Sequence, residues 1–228
     1  LFKRMYDLFT NKEVSSIADE ISVEKKELPH IVFIHGAGCS HRSWNYLLAK
    51  LNPTQYTMLE YSVDDKFNTN LTKLASDFGH IHDKKVYMIS HSMGGIYALN
   101  LYQMFRHRII GSISIATPFA GSRTADFVKY IYPSYALFKD VGVKSAPILR
   151  CHNITIHVPW TQIVTTDGGV PWHNGHNDGV VTVESQKHRE DMEFVEVHVT
   201  HNEALVSDEV LDVIKDKLNI KTLDKTTS

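Results

Sequence analysis

The segment MISHSMGGIYAL, residues 88–99, sets Ser92 between a short apolar run and a second one. A serine hydroxyl is a weak nucleophile at neutral pH. It becomes effective only beside a base, with a third group to orient that base and with donors for the negative oxygen that develops on the substrate. The chain offers candidates for each part. His198 and His201 in EFVEVHVTHNEAL are candidate bases, and Asp167 in TTDGGV and Asp178 in HNDGVV are candidate acids, both preceding Gly as turn aspartates often do. Upstream, HGAG at 35–38 carries glycines on either side of Ala37, which let the backbone turn and expose its amides. Together these residue types would support nucleophilic attack on an acyl carbon.

The flanking elements must put these groups in one place. KVYMIS (85–90) has the pattern of a buried strand and SMGGIYALNLYQMF that of a buried helix, so Ser92 falls at a strand-to-helix turn. An elbow this tight strains the nucleophile's backbone and brings the residues two before and two after it into contact, so both must be small. Here they are Ser90, where Gly is more usual, and Gly94. Further β-rich runs are expected at 30–35, 56–63, 109–116, 153–158 and 193–199, separated mostly by helical periodicity. That alternation predicts an α/β fold with a mostly parallel central sheet covered by helices on both faces. HGAG then follows the first strand, and the backbone N–H groups of Ala37 and Met93 are expected to face the developing oxyanion. Val195, Val197 and Val199 alternate with Glu196 and His198, which puts His198 on the other face of a strand in a structural role. His201 comes just past the strand end, before the helical EALVSDEVLDVIKDKL, where an imidazole could reach Ser92.

Residues 1–28 read as an N-terminal helical extension, 29–220 as a single domain and 221–228 as a tail. An insertion at about 117–150 is rich in aromatics. It is expected to roof the site as a helical, lid-like segment, with Phe119, Tyr130, Tyr135 and Phe138 as substrate-binding residues. An ordinary pair of packing helices is the alternative.

Composition narrows the field. At 228 residues, 43% apolar and 22% charged, the chain has the make-up of one globular domain with a full-sized core. A formal charge of −2 argues against a nucleic-acid partner. No run reaches the roughly 20 apolar residues that span a bilayer, and the first residues lack a signal-peptide core. Secreted and cytoplasmic locations both stay open. Cys39 and Cys151 are too few and too far apart in sequence to settle whether they pair. WHNGHND brings His173, His176 and Asp178 together, but on a loop whose Gly and Asn argue against a fixed zinc ligand set.

HGAG, SHSMGG, NDGVV and THNEAL, in that order, resemble an α/β-hydrolase, and more narrowly the bacterial triacylglycerol lipases and related serine esterases. ATPFAGSRTADF is similar to a segment of those lipases, and the resemblance covers about residues 30–217. It implies a carboxylic ester hydrolase with a Ser92–His201–Asp178 triad and an acyl-enzyme intermediate, and it carries the acid's role to Asp178 ahead of Asp167. An acyltransferase using the same triad is the alternative, and a non-catalytic binding module a more distant one. The implied partner is a small-molecule or lipid ester, with room for transient contact at a lipid interface. Some lipases of this kind hold a structural calcium near the catalytic histidine. Glu203 matches one of its carboxylates, but no second acid stands where the family has one. The expectation is therefore a protein without metal or cofactor.

Overall fold

Six short, largely apolar runs form one fully parallel sheet in the order β2-β1-β3-β4-β5-β6. The strands are β1 (His30–Ile34), β2 (Tyr56–Leu59), β3 (Val86–His91), β4 (Ile109–Ile115), β5 (Trp160–Thr165) and β6 (Glu193–Val197). The computed structural model describes residues 28–82, 85–121, 137, 142, 144–168 and 176–219. Residues 1–27 of the N-terminal extension, residue 220 with the tail that follows it, and most of the insertion lie outside the described residues.

Successive side chains of a strand point to opposite faces, and here they feed two cores. Val32, Ile34, Val86 and Met88 enter one, and Ile31, Phe33, Tyr87 and Ile89 the other. Helices α2 (Phe67–Gly79) and α3 (Met93–Phe105) cover the first face. In α2, Phe67, Leu71, Leu74 and Phe78 recur at helical spacing and make a single buried stripe. Helices α1 (Asn45–Leu51) and α6 (Asp208–Lys217) cover the second face through Leu47, Leu51, Val210, Leu211 and Ile214. Cys39 and Cys151 are both free thiols. Burial pushes the Cys151 thiol up to about 11.

Two expectations need correction. The strand expected at 153–158 is an extended connector that follows α4 (Ala146–His152). Its alternating Ile154 and Ile156 are buried, which mimics a strand pattern, but side chains take the place of a ladder. Arg189 donates to the carbonyls of Cys151 and Ile154, and Asp191 accepts from the amide of Ile156 at 3.0 Å. The true strand, WTQIVT, lacks an apolar pattern, yet all six residues are buried. Several of its polar groups are bonded internally, as when Gln162 Nε2 donates to the carbonyl of Thr117 at 3.1 Å, while Gln162 Oε1 has no partner among the described residues. The second correction concerns the C-terminal helix. EALV (203–206) is a separate 3₁₀ turn, and α6 starts afresh at Ser207, whose Oγ accepts from the amide of Val210 at 3.3 Å.

The chain runs from β1 outward to β2, then crosses back to β3 on the other side of β1. The strand order therefore reverses between β1 and β3, and a crevice opens beyond their carboxyl ends at such a point. HGAG leaves β1 and Ser92 leaves β3 at that place.

Candidate active site

Ser92 lies between β3 and α3 with φ 52° and ψ −124°. A non-glycine residue there stores roughly 1–3 kcal/mol of strain, which packing must hold in place. The packing is visible. The Ser92 amide donates to the carbonyl of Ile115 at 2.8 Å, tying the elbow to the end of β4. A Cβ on Gly94 would stand 2.2 Å from the carbonyl oxygen of Ile34 and 2.5 Å from that of His35. Only glycine lets the first turn of α3 press so closely on the end of β1, and that contact fixes the angle at which Ser92 is presented. Ser92 itself is half-buried.

The loop after β1 lies against this elbow. A Cβ on Gly36 would be 3.2 Å from the Cβ of Ser92. His35 Nδ1 donates to the carbonyl of Gly36 at 2.8 Å, and the Cys39 amide reaches the same carbonyl at 3.1 Å. Tyr61 stacks on the His35 ring at 4.4 Å and donates its hydroxyl to the His35 carbonyl at 3.0 Å. Burial holds the His35 imidazole below its ordinary value, against Glu60, which favours the charged form. Ala37, half-buried, sits on this braced turn. Met93 is the first residue of α3, so its amide is among those a helix leaves without an intrahelical partner.

The acid and the base come from the far side of the sheet. His201 Nδ1 lies 2.7 Å from Asp178 Oδ2, with both residues buried. The other carboxylate oxygen of Asp178 accepts from the amides of Val180 at 2.9 Å and Val181 at 2.7 Å. Oδ2 also accepts from Thr165 Oγ1 at 2.5 Å and from Gln186 Nε2 at 3.3 Å. Burial alone would raise the Asp178 carboxyl. The bond and charge of His201, with the Thr165 and Val181 donors, outweigh it and hold the group below its ordinary value.

The rival residues make other contacts. Asp167 is exposed and bonds through its amide to the carbonyl of Val199 at 3.2 Å. His198 is exposed, its Nδ1 3.0 Å from Thr166 Oγ1. Glu203 accepts from Thr200 through both the backbone amide at 3.1 Å and the hydroxyl at 2.7 Å. Among the described residues no group of three or more His, Cys, Asp and Glu side chains is placed to hold a metal ion. Phe119 is fully buried in the same core cluster as Met93, Tyr97 and Leu137. Tyr130, Tyr135, Phe138 and His173 lie outside the described residues.

Sequence reasoning missed Thr165, Gln186 and His91. Thr165 ends β5, so placing that strand seven residues early, at 153–158, hid it. Gln186 ends the short helix α5 (Val183–Gln186), where no pattern marked it. His91 stood in plain view beside Ser92. Its partner, the His201 carbonyl at 3.0 Å, is 110 residues away in the chain.

Residues 31–161 match the model of the Alpha/beta hydrolase family, and the chain belongs to that family. A Bacillus licheniformis lipase in its mature form has a similar structure, with TM-score 0.65 and 17% identity over 85% of this chain and 92% of that one. So does a lipase-esterase related protein from Clostridium acetobutylicum, with TM-score 0.58 and 17% identity over 84% and 95%. A thioesterase domain from the curacin biosynthetic pathway is similar too, with TM-score 0.54 and 15% identity over 85% and 91%. At these identities the likeness is one of fold. No curated protein matches the chain. Family membership supports a hydrolase acting on a small molecule. Among the described residues no helix is long and apolar enough to cross a membrane.

Proposed function

We propose that the chain is a serine hydrolase of carboxylic esters, with Ser92 as nucleophile, His201 as base and Asp178 as the group that orients it. The observation that carries this reading is the buried 2.7 Å contact between His201 and Asp178, on a loop bonded to the residue beside the elbow serine.

Ser92 Oγ attacks the ester carbonyl carbon as His201 Nε2 takes the hydroxyl proton. The carbonyl oxygen becomes an oxyanion, met by the backbone N–H groups of Ala37 and Met93. Asp178 holds the Nδ1 proton and stabilises the imidazolium without itself taking the proton. Collapse of the tetrahedral intermediate expels the alkoxide, which takes the proton from His201 and leaves an acyl group on Ser92. Water, deprotonated by the same imidazole, then attacks that acyl group, releases the acid and restores the serine. The substrate is a small-molecule or lipid ester. Tyr130, Tyr135 and Phe138 supply apolar surface for its acyl chain; Phe119, expected to join them, is fully buried and offers none of its own.

A series of nitrophenyl esters from acetate to palmitate, with and without a serine-directed phosphonate, tests the reading. Phosphonate-sensitive turnover of at least one ester is expected. Turnover that is absent across the series, or that the phosphonate does not touch, contradicts it. Activity that rises at an oil interface marks a lipid substrate, and rapid short-chain turnover in solution marks a small one.

A further inference from the structure

We propose that His91 is a positioning residue for His201, holding the base's loop onto the nucleophile elbow through a single side-chain-to-backbone hydrogen bond. The inference rests on the role given to His201 above and adds a residue to that site.

His91 is the last residue of β3 and is 1% exposed. Along β3 it shares a face with Tyr87 and Ile89, and that face packs on Val197, Ala204 and Leu205, which flank the His201 loop. Three hydrogen bonds fix His201. Its amide donates to the Asp178 carbonyl at 3.0 Å, its Nδ1 meets the Asp178 carboxylate, and its carbonyl, 3.0 Å from His91 Nε2, accepts from that ring. Two of these bonds fasten His201 to Asp178. The third fastens it to the neighbour of Ser92, so it links the two candidate reacting side chains through the protein.

The chemistry of that link fixes the state of the His91 ring. A carbonyl can only accept, so Nε2 carries the proton and Nδ1 is left with a lone pair. Among the described residues Nδ1 has no hydrogen-bond partner, and it faces Gly36, on which a Cβ would stand 2.8 Å away. A second proton there would find no acceptor among the described residues. The titratable groups facing the ring are His201 across a ring-centroid distance of 4.8 Å, Asp178, and His35 at the end of β1. Burial first, and then His201, lower the His91 imidazole to about 3. His91 therefore stays neutral in service, with its accepting nitrogen turned away from solvent and its donating nitrogen spent on the carbonyl. It neither competes with His201 as a base nor repels the imidazolium.

Three variants separate this role from packing. In His91→Gln the amide nitrogen reaches to about where Nε2 stands and can still donate. His91→Leu fills similar space without a donor, and in His91→Asn the amide ends about one bond short. Each is assayed for kcat and KM on a short nitrophenyl ester. Each is also examined for the far-downfield proton resonance of the His201–Asp178 pair, assigned by its loss in Asp178→Ala. We expect Leu and Asn to lower kcat roughly 10- to 100-fold with KM little changed and to shift or broaden the resonance, and Gln to restore both. Leu or Asn with kcat within about twofold and the resonance unmoved overturns the proposal, as does a folded Gln variant no better than Leu. If Leu does not fold, the Asn and Gln comparison decides alone. The resonance reads the His201–Asp178 bond whether or not the chain cleaves esters. A wild type without turnover would thus count against the function while the resonance still decides the anchor.

Discussion

Asp178 holds His201 twice, through its carboxylate at 2.7 Å from Nδ1 and through its backbone carbonyl at 3.0 Å from the His201 amide. The first contact sets the tautomer of the ring and the second sets where the ring can be. Removing the carboxylate charge should therefore impair chemistry while leaving the loop in place. Asp178→Asn is expected to lower kcat roughly 10³- to 10⁴-fold, as when a triad acid is neutralised, and Asp167→Asn to change it little. Likewise His201→Ala should abolish hydrolysis and His198→Ala spare it. Steady-state kinetics on the four variants checks the assignment, and the opposite pattern in either pair reverses it.

Gly94 decides between two opposed effects. On an open helix surface Gly→Ala is favourable by about 1 kcal/mol through helix propensity. Here the added methyl would meet two backbone oxygens at 2.2 and 2.5 Å, and forcing extra carbon into a packed site costs about 1–3 kcal/mol or more. The clash wins. Gly94→Ala is expected to lower the urea midpoint and to slow acylation of Ser92. An increase in stability would show that the elbow is not packed against β1 as described.

Stability should fall with acid well before carboxylates titrate. The unfolded chain protonates His91 near its ordinary value of 6.5, whereas the folded protein resists until about 3. Between those values the unfolded state binds the extra proton, so this contribution is fully present above pH 6.5 and is lost as pH falls, at about 1.4 kcal/mol per pH unit. His35 and His188 shift the same way through burial. Asp178, held below its usual value, adds a loss in a lower window as pH drops through the carboxylate range. Urea unfolding at pH 7, 6 and 5 should show declining stability, with a shallower slope in His91→Gln. An unchanged slope in that variant removes His91 from the account.

The aromatic insertion should govern chain length. Each buried methylene is worth about 0.8 kcal/mol, so a few apolar side chains suffice to set a preference. Phe119 is fully buried, and truncating such a residue costs the fold roughly 3–5 kcal/mol. Replacing Tyr130, Tyr135 and Phe138 together by serine is the cleaner experiment. kcat/KM should fall more for medium-chain esters than for acetate. An equal fall on both would place these residues in packing instead.

The sequence made the elbow legible because several local rules agree there: a buried strand, small residues around Ser92, and an apolar helix after it. His201 was legible from its place after the alternation of Val195 and Val197. Asp178 was separated from Asp167 by resemblance to a family, since both are turn aspartates after an expected strand. β5 was not legible. Its Thr161, Gln162 and Thr165 are polar yet buried, and their bonds lie with residues distant in sequence, while the true connector at 154–157 carries the alternation that marks a strand. Thr165 and Gln186 as supports of Asp178, and His91 as support of His201, depend on contacts between segments that no spacing along the chain encodes.

The central claim is that Ser92 becomes acylated, and one measurement reads it directly. The protein is reacted with a fluorophosphonate, and its intact mass and proteolytic peptides are compared with those of Ser92→Ala. One adduct per chain is predicted, on the peptide that holds Ser92, with Ser92→Ala folded, unlabelled and slowed in ester hydrolysis by roughly 10⁴-fold or more. An adduct on another residue, or a Ser92→Ala protein that still hydrolyses esters at a near-normal rate, contradicts the account.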